Sequence, residues 1–277
     1  MNYLDKAKKF KTKKRLGQNF LIDEKIIDKI VETANLSPDE IIVEIGAGAG
    51  FVTEKLAKKT KNVIAIELDD DAVKELQKLP YTNINIIQQD ILKTEFSEFV
   101  EKPVKIVANI PYYITSPIIA RLLGEIEQPE WKNRELIKEI ILMVQFEVAK
   151  RLVADEKSPS KEYGLISILV NYWCKTELIC KVPAKSFYPS PKVDSALVKL
   201  TVRKNPLVEI NNLVLFKKLT KAAFGMRRKT IKNAFVKSGF DENKIIHALK
   251  SLNIDPDIRG EKLSIVDFKN ISDALDK

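Results

Sequence analysis

Histidine is nearly missing from this chain and cysteine is scarce: His247, Cys174 and Cys180 are all that 277 residues provide. A single histidine leaves no material for a serine–histidine–aspartate relay or a histidine-rich metal cage, so no metal is expected. The two thiols stand six positions apart in an apolar, strand-like stretch. They read as buried free thiols, not as a disulfide framework or a metal site. Long apolar runs are also lacking. The longest, residues 140–144 and 165–170, are strand-sized and fall far short of the roughly 20 residues a membrane-spanning helix needs. Neither a transmembrane segment nor a membrane partner is expected. Lys6, Lys8, Lys9, Lys11, Lys13, Lys14 and Arg15 crowd the N-terminus, but no apolar core or small-residue cleavage site follows them. Secretion is therefore not indicated, and the cytoplasm is the expected compartment.

Acidic residues are outnumbered, 38 against 47 lysines and arginines, which gives a formal charge of +9 and a pI near 9.2. Neutralising phosphates releases condensed counterions, so such a balance suits a polyanionic partner, although solvated lysines alone produce the same number. The 45% hydrophobic content is ample for a packed core, and the length accommodates one large domain with a small appendage.

From residue 41 onward the pattern alternates between strand and helix. Strands are expected at Ile41–Ile45, 63–67, Ile84–Gln88, Val104–Asn109, 139–145, 165–172 and 196–202. Helical spacing lies between the early ones, at Phe51, Val52, Leu56 and Ala57 and at Ala72, Val73, Leu76 and Leu79. Seven strands with right-handed crossovers imply an α/β, Rossmann-like, doubly wound sheet. Asp23 is placed to cap a helix before the sheet, with Ile26, Ile27, Ile30, Val31 and Ala34 on its inner face. Ser116 is expected to cap the helix that carries Pro117 in its first turn. After Val202 only helical periodicity remains, interrupted at Phe224-Gly225 and Gly239. The boundary is expected near residue 203, with a catalytic domain over 1–203 and a small all-helical domain over 204–277.

The first strand runs into Glu44-Ile45-Gly46-Ala47-Gly48-Ala49-Gly50 and then into a helix. This is the setting in which a glycine turn lets backbone approach a nucleoside. The dinucleotide fingerprint wants its third glycine one place later, where Phe51 sits. The G-x-G-x-G spacing is the form usual among S-adenosylmethionine-dependent methyltransferases. A nicotinamide enzyme is disfavoured and stays open at this point. Glu67 ends the second strand, where it can accept from both ribose hydroxyls, and Asp90 ends the third, where it can accept from the cofactor adenine amine.

The fourth strand ends in Asn109-Ile110-Pro111-Tyr112, which resembles the N-[LI]-P-Y motif of methyltransferases that act on amino groups of nucleic acids. An adenine amine is a poor nucleophile because its lone pair is delocalised into the ring. The Asn109 amide oxygen and the Ile110 carbonyl can accept its two hydrogens and turn the lone pair toward a sulfonium methyl. Positioning of this kind contributes up to about 7–11 kcal/mol of barrier reduction in the best cases. No strong general base is needed, in keeping with the dearth of histidine. Tyr112 offers a face on which an extruded base can stack. Phe187, in the proline-stiffened segment Phe187-Tyr188-Pro189-Ser190-Pro191-Lys192-Val193-Asp194-Ser195-Ala196, is expected to supply a second aromatic opposite it.

These motifs, with Lys14-Arg15-Leu16-Gly17-Gln18-Asn19-Phe20-Leu21 and Phe224-Gly225-Met226-Arg227-Arg228-Lys229-Thr230, span nearly the whole chain. Together they resemble the ribosomal RNA adenine dimethyltransferase family, most nearly its small-subunit branch. The resemblance implies dimethylation of two adjacent adenines in the hairpin near the 3′ end of 16S rRNA, within a small ribosomal subunit or its precursor, by a monomeric enzyme. Position by position it implies Asn19 and Leu21 at the cofactor's methionine end, Gly46 with Gly48 beneath it, Glu67 on the ribose, Asp90 on the adenine, and Asn109 between cofactor and target. Gln89 stands where the family often has glycine, and Ile110 where leucine is common.

Two basic clusters are candidate RNA contacts: Lys13, Lys14 and Arg15 in the N-terminal arm, and Lys221, Arg227, Arg228, Lys229 and Lys232 in the helical region. Two competing readings remain. One is the related large-subunit enzyme that confers macrolide resistance, which the segments at 189–196 and 227–230 fit less well. The other is a non-catalytic RNA-binding, assembly or transcription factor, against which the intact Gly46, Glu67, Asp90 and Asn109 set argues.

Overall fold

A computed structural model describes residues 3–10, 13 and 17–276. Lys14 and Arg15 lie outside the described residues. The described chain divides into two compact units. The first takes in the chain up to Gly124, Glu130–Ala149 and Lys175–Val202; the second takes in Glu125–Pro129, Lys150–Cys174 and the chain from Arg203. The helical unit is thus not confined to the stretch after residue 203, because two earlier segments pack into it.

In chain order the first unit opens with α1 (Tyr3–Lys8), β1 (Phe20–Leu21) and α2 (Glu24–Ala34). As expected, Asp23 caps α2, its carboxylate accepting from the Lys25 N–H at 3.1 Å, and Ile27, Ile30 and Ala34 are buried. Then come β2 (Ile41–Ile45), α3 (Phe51–Ala57), β3 (Asn62–Glu67), α4 (Asp70–Leu76), β4 (Ile84–Gln88) and β5 (Val104–Asn109). They are followed by α5 (Thr115–Leu123), α6 (Lys132–Glu135), β6 (Ile137–Gln145) and α7 (Phe146–Val153), which crosses into the second unit. Beyond α8 (Leu165–Trp173), the chain enters β7 (Cys174–Val182), β8 (Phe187–Tyr188) and β9 (Ser195–Val202). Helices α9 (Leu213–Gly225), α10 (Ile231–Lys237), α11 (Glu242–Ser251) and α12 (Ile265–Leu275) complete the second unit.

Seven strands form one sheet in the order β4-β3-β2-β5-β6-β9-β7. Neighbours from β4 to β6 pair in parallel, and β9 returns antiparallel to β6. The central strands are near-continuous apolar runs, as strands covered on both faces must be; Ile42, Val43, Ile64, Ala65, Ile106 and Val107 are all buried. The sheet order reverses between β2 and β5, and a crevice opens at such a switch point outside the carboxyl ends of the strands.

The seven-strand expectation holds in number and errs in one member. Residues 165–172 are helix α8, not a strand, and the seventh strand is β7. Ser167 accepts the Gly164 N–H at 3.0 Å and donates to the Arg151 carbonyl at 2.6 Å, and so fastens the helix start. The Ser116 cap is also corrected: α5 already begins at Thr115, so Ser116 lies within its first turn. Cys174 is buried and Cys180 half-buried, and neither forms a disulfide.

Candidate functional site

Four strand tips meet at the switch point. The cavity there is lined by Gly46 and Gly48 after β2, Glu67 ending β3, Asp90 after β4, and Asn109 ending β5. Asn19, Leu21, Ile110, Pro111 and Tyr112 also line it. The residues singled out at the glycine turn, the three acidic and amide tips and the N-terminal segment are therefore gathered in one wall.

Two glycines are required by geometry. Gly46 has φ +73°, a left-handed conformation that costs a side-chain-bearing residue roughly 1–2 kcal/mol. A Cβ there would lie 3.0 Å from the Asn109 carbonyl oxygen, so the backbones of β2 and β5 approach as closely as they do only because it is absent. Gly48, at φ +54°, gives its N–H to Glu67 Oε2 at 2.7 Å, and a Cβ on it would press on the Phe20 ring. The other Glu67 oxygen accepts the N–H groups of Leu68 and Asp69, each at 2.8 Å. Asp90 caps a short 3-10 turn by accepting the Leu92 N–H at 3.0 Å.

The N-terminal segment is tied down beside Glu67. Gln18 Nε2 donates to the buried Asp69 carboxylate at 2.5 Å, and Lys13 pairs with the same carboxylate and with Asp71 at 2.8 Å. The Lys13 ammonium holds the Asp69 carboxyl below its ordinary value against the opposing effect of burial. Lys13 is accordingly engaged in ion pairs on the protein itself. Asn19 turns its amide back onto the Gly17 carbonyl at 3.1 Å.

Phe187, expected opposite Tyr112, is not among the residues that line the cavity. It is 2% exposed, pairs in register with Leu21 in the two-residue ladder of β1 and β8, and packs in the core cluster with Ile27, Val182 and Leu197. A ring surrounded by aliphatic side chains gains more from burial than from standing in a crevice. Tyr112 is half-buried in the 3-10 turn after Pro111, with its hydroxyl 2.5 Å from Ser195 Oγ. The exposed aromatic of the lining is instead Tyr113, 63% exposed, which sequence reasoning passed over.

Glu44 is a second functional candidate that sequence reasoning left unassigned. It is 3% exposed, lines the cavity, and its Oε2 has no hydrogen-bond partner. Burial pushes its carboxyl up to about 8, and the nearby charge of Glu67 works in the same direction. An acid at the fourth position of a buried strand, between apolar neighbours, was the available signal.

In the helical unit Lys221, Arg228 and Lys229 are exposed. Arg227 is partly consumed: its guanidinium lies 5.8 Å above the Phe224 ring and donates to the Ser160 carbonyl. Lys232 pairs with Glu242 at 3.5 Å. Among the described residues there is no acidic, cysteine or histidine group that could hold a metal ion, and no helix long and apolar enough to cross a membrane.

Comparison with known proteins gives concordant matches. The family model described as ribosomal RNA adenine dimethylase matches residues 9–277. A ribosomal RNA small subunit methyltransferase A from Clostridium botulinum is 41% identical over 270 residues, covering 96% of this chain and 94% of its own. A protein of the same name from Caldanaerobacter subterraneus is 39% identical, covering 96% and 97%. Among solved structures, a dimethyladenosine transferase from Plasmodium falciparum superposes with TM-score 0.74 at 29% identity, covering 90% of this chain and 94% of that one. The 23S rRNA methyltransferase ErmE gives 0.70 at 28%, covering 94% and 100%.

Proposed function

Given that the chain belongs to the ribosomal RNA adenine dimethylase family, we propose that it transfers methyl groups from S-adenosylmethionine to the 6-amino group of two adjacent adenines in the 3′-terminal hairpin of 16S rRNA. It does so in the cytoplasm, as a monomer, on a small ribosomal subunit or its precursor. The observation that carries this reading is the convergence of Gly46, Glu67, Asp90 and Asn109 on one cavity at the sheet's switch point.

The cavity's chemistry fits the cofactor. An orphaned, buried carboxylate oxygen on Glu44 suits a ligand with a cationic end, and the glycine turn leaves room for close backbone approach. Asn19, Leu21 and Gly46 with Gly48 would hold the methionine end, Glu67 the ribose and Asp90 the adenine. When bound, the cofactor supplies an electrophilic sulfonium methyl.

Asn109 and the Ile110 carbonyl orient the target amine by accepting its hydrogens. Ile110, 3% exposed, keeps the backbone at that point rigid and dry. Tyr112 offers its ring to the extruded base, and Pro111 fixes the turn that carries it. Phe187 acts only through the core, as the partner of Leu21. Lys221, Arg228 and Lys229, together with Arg227, Lys13, Lys14 and Arg15 where not spent on internal pairs, engage phosphates and fix register without reading sequence.

Incubation with undermethylated small and large ribosomal subunits in separate reactions, followed by mass identification of the modified nucleoside, tests the proposal. Dimethyladenosine in the small-subunit RNA alone is the expected product. Modification confined to the large subunit would instead place the chain with the function named for ErmE.

A further inference from the structure

We propose that Ser195 is a positioning residue of the transfer reaction: its hydroxyl holds the phenol of Tyr112 and so fixes the aromatic face that the target purine meets. This rests on the reading that the cavity methylates an adenine.

The two hydroxyl oxygens lie 2.5 Å apart. Ser195 is fully buried, opens β9 and pairs in register with Gln145 of β6. The residue before it is held on three sides. The Asp194 carbonyl accepts the Phe146 N–H at 3.0 Å, and its carboxylate accepts the Ala184 N–H at 3.0 Å and pairs with Lys181 at 2.8 Å. The Ser195 hydroxyl is therefore a fixed post on the sheet.

Tyr112 has far weaker support of its own. It lies in a single 3-10 turn in which the Thr115 hydroxyl donates to its carbonyl at 3.2 Å. Its side chain swings about two torsions: a bond at the far tip of the ring removes the swing about χ1, and because a phenol bonds in the plane of its ring the same bond also favours one setting of χ2. The phenol is thereby occupied as a tether. Burial also raises it above its ordinary value, so it stays neutral. Tyr112 lines the cavity, where its ring offers a face to a base, and a base stacked on an aromatic is worth roughly 1–3 kcal/mol.

The same contact gives a purpose to the segment 187–196. Its first residue, Phe187, is committed to the core. Its far end reaches the reaction site through a hydroxyl one contact removed from the cavity, which explains a serine at a fully buried strand start where alanine would pack as well.

A double-mutant cycle on the full chain tests this: Ser195→Ala, Tyr112→Phe and the pair together, assayed for methyl transfer to undermethylated small subunits and titrated with S-adenosylmethionine. Each single change is expected to lower kcat about tenfold, near 1.4 kcal/mol, with KM for the subunit and cofactor affinity within about twofold. The double variant should be no slower than the slower single, because deleting both partners leaves no orphaned hydroxyl. A fluorescent purine at the target position, quenched by stacking in the wild type, should brighten in Ser195→Ala. Multiplying losses in the double variant, or a wild-type rate and wild-type quenching for Ser195→Ala, overturn the proposal. If Ser195→Ala loses cofactor binding, and with it the fold, Ser195→Cys replaces it in the same cycle, and the same two results support or overturn the contact. A wild-type chain inactive on both subunits would count against the methyltransferase reading, not against the Ser195 contact.

Discussion

The Glu67 carboxylate bridges the glycine turn and its own strand end: one oxygen takes the N–H of Gly48 at 2.7 Å, and the other takes those of Leu68 and Asp69. A single side chain thereby shapes the cradle in which the cofactor site is proposed. Glu67→Ala removes the partner of three N–H groups, of which that of Asp69 is in a buried contact, and an unsatisfied buried donor costs about 1–3 kcal/mol. Cofactor affinity is expected to fall by more than about tenfold and the melting temperature to drop with it. Calorimetric titration and thermal melting check both.

Glu44 makes stability depend on pH in a definite direction. Burial raises its carboxyl from 4.5 to about 8 in the folded chain, so folding takes up a proton between those values. Its contribution is fully present below the lower value and is lost as pH rises toward the upper one. Melting temperature in the absence of cofactor should decline from pH 5 to 8, and Glu44→Gln should flatten that decline. A cationic ligand beside Glu44 favours the carboxylate. Binding of S-adenosylmethionine at pH 7 should release up to one proton, seen as a buffer-dependent heat.

Gly46→Ala tests the close approach of β2 and β5. The new methyl would sit 3.0 Å from the Asn109 carbonyl at a positive φ. Asn109 must shift by a few tenths of an ångström. A misplacement of that order at the reacting centre should lower kcat by about tenfold or more, with RNA binding unaffected. Single-turnover methyl transfer and a filter-binding titration separate the two.

Arg228 and Lys229 are exposed in the helical unit, whereas Arg227 is engaged with Phe224 and Ser160. Arg228→Glu with Lys229→Glu should weaken RNA binding and reduce the slope of log K against log salt by roughly 0.7–0.9 for each phosphate no longer neutralised. Cofactor affinity should not change. Arg227→Ala should additionally lower thermal stability, since it removes a ring contact and a carbonyl's donor. An unchanged salt slope in the double variant would exclude these two residues from the RNA contact.

What could be read from residues alone follows from how strongly each signal was written. The parallel strands were legible because β2, β3 and β5 are largely buried and read as near-continuous apolar runs, broken only by Glu44 within β2 and Lys105 within β5, and the turns after them carry glycine, glutamate and asparagine at strand ends. Residues 165–172 misled because a helix buried nearly all round shows no polar face, and over so short an apolar run periodicity does not separate helix from strand. The true strand, β7, hid because it lies at the sheet edge, where Lys175, Thr176 and Glu177 interrupt the pattern. The place of Phe187 in the core was illegible for a different reason: its partner, Leu21, lies far away in sequence in a two-residue ladder that carries no periodic signal. The Ser195–Tyr112 contact spans 83 positions and was invisible to any local pattern.

That small ladder has a dynamic corollary. Phe20 and Leu21 pair with Tyr188 and Phe187, and the Ile22 N–H continues onto the Ser186 carbonyl at 2.9 Å. So few bonds open together or not at all, which makes the two strands a single unit of amide exchange. On the proposed reading, in which Asn19 and Leu21 hold S-adenosylmethionine, its binding should slow deuterium uptake not only in its own contact segment but also across Phe187 and Tyr188, a stretch it need never touch.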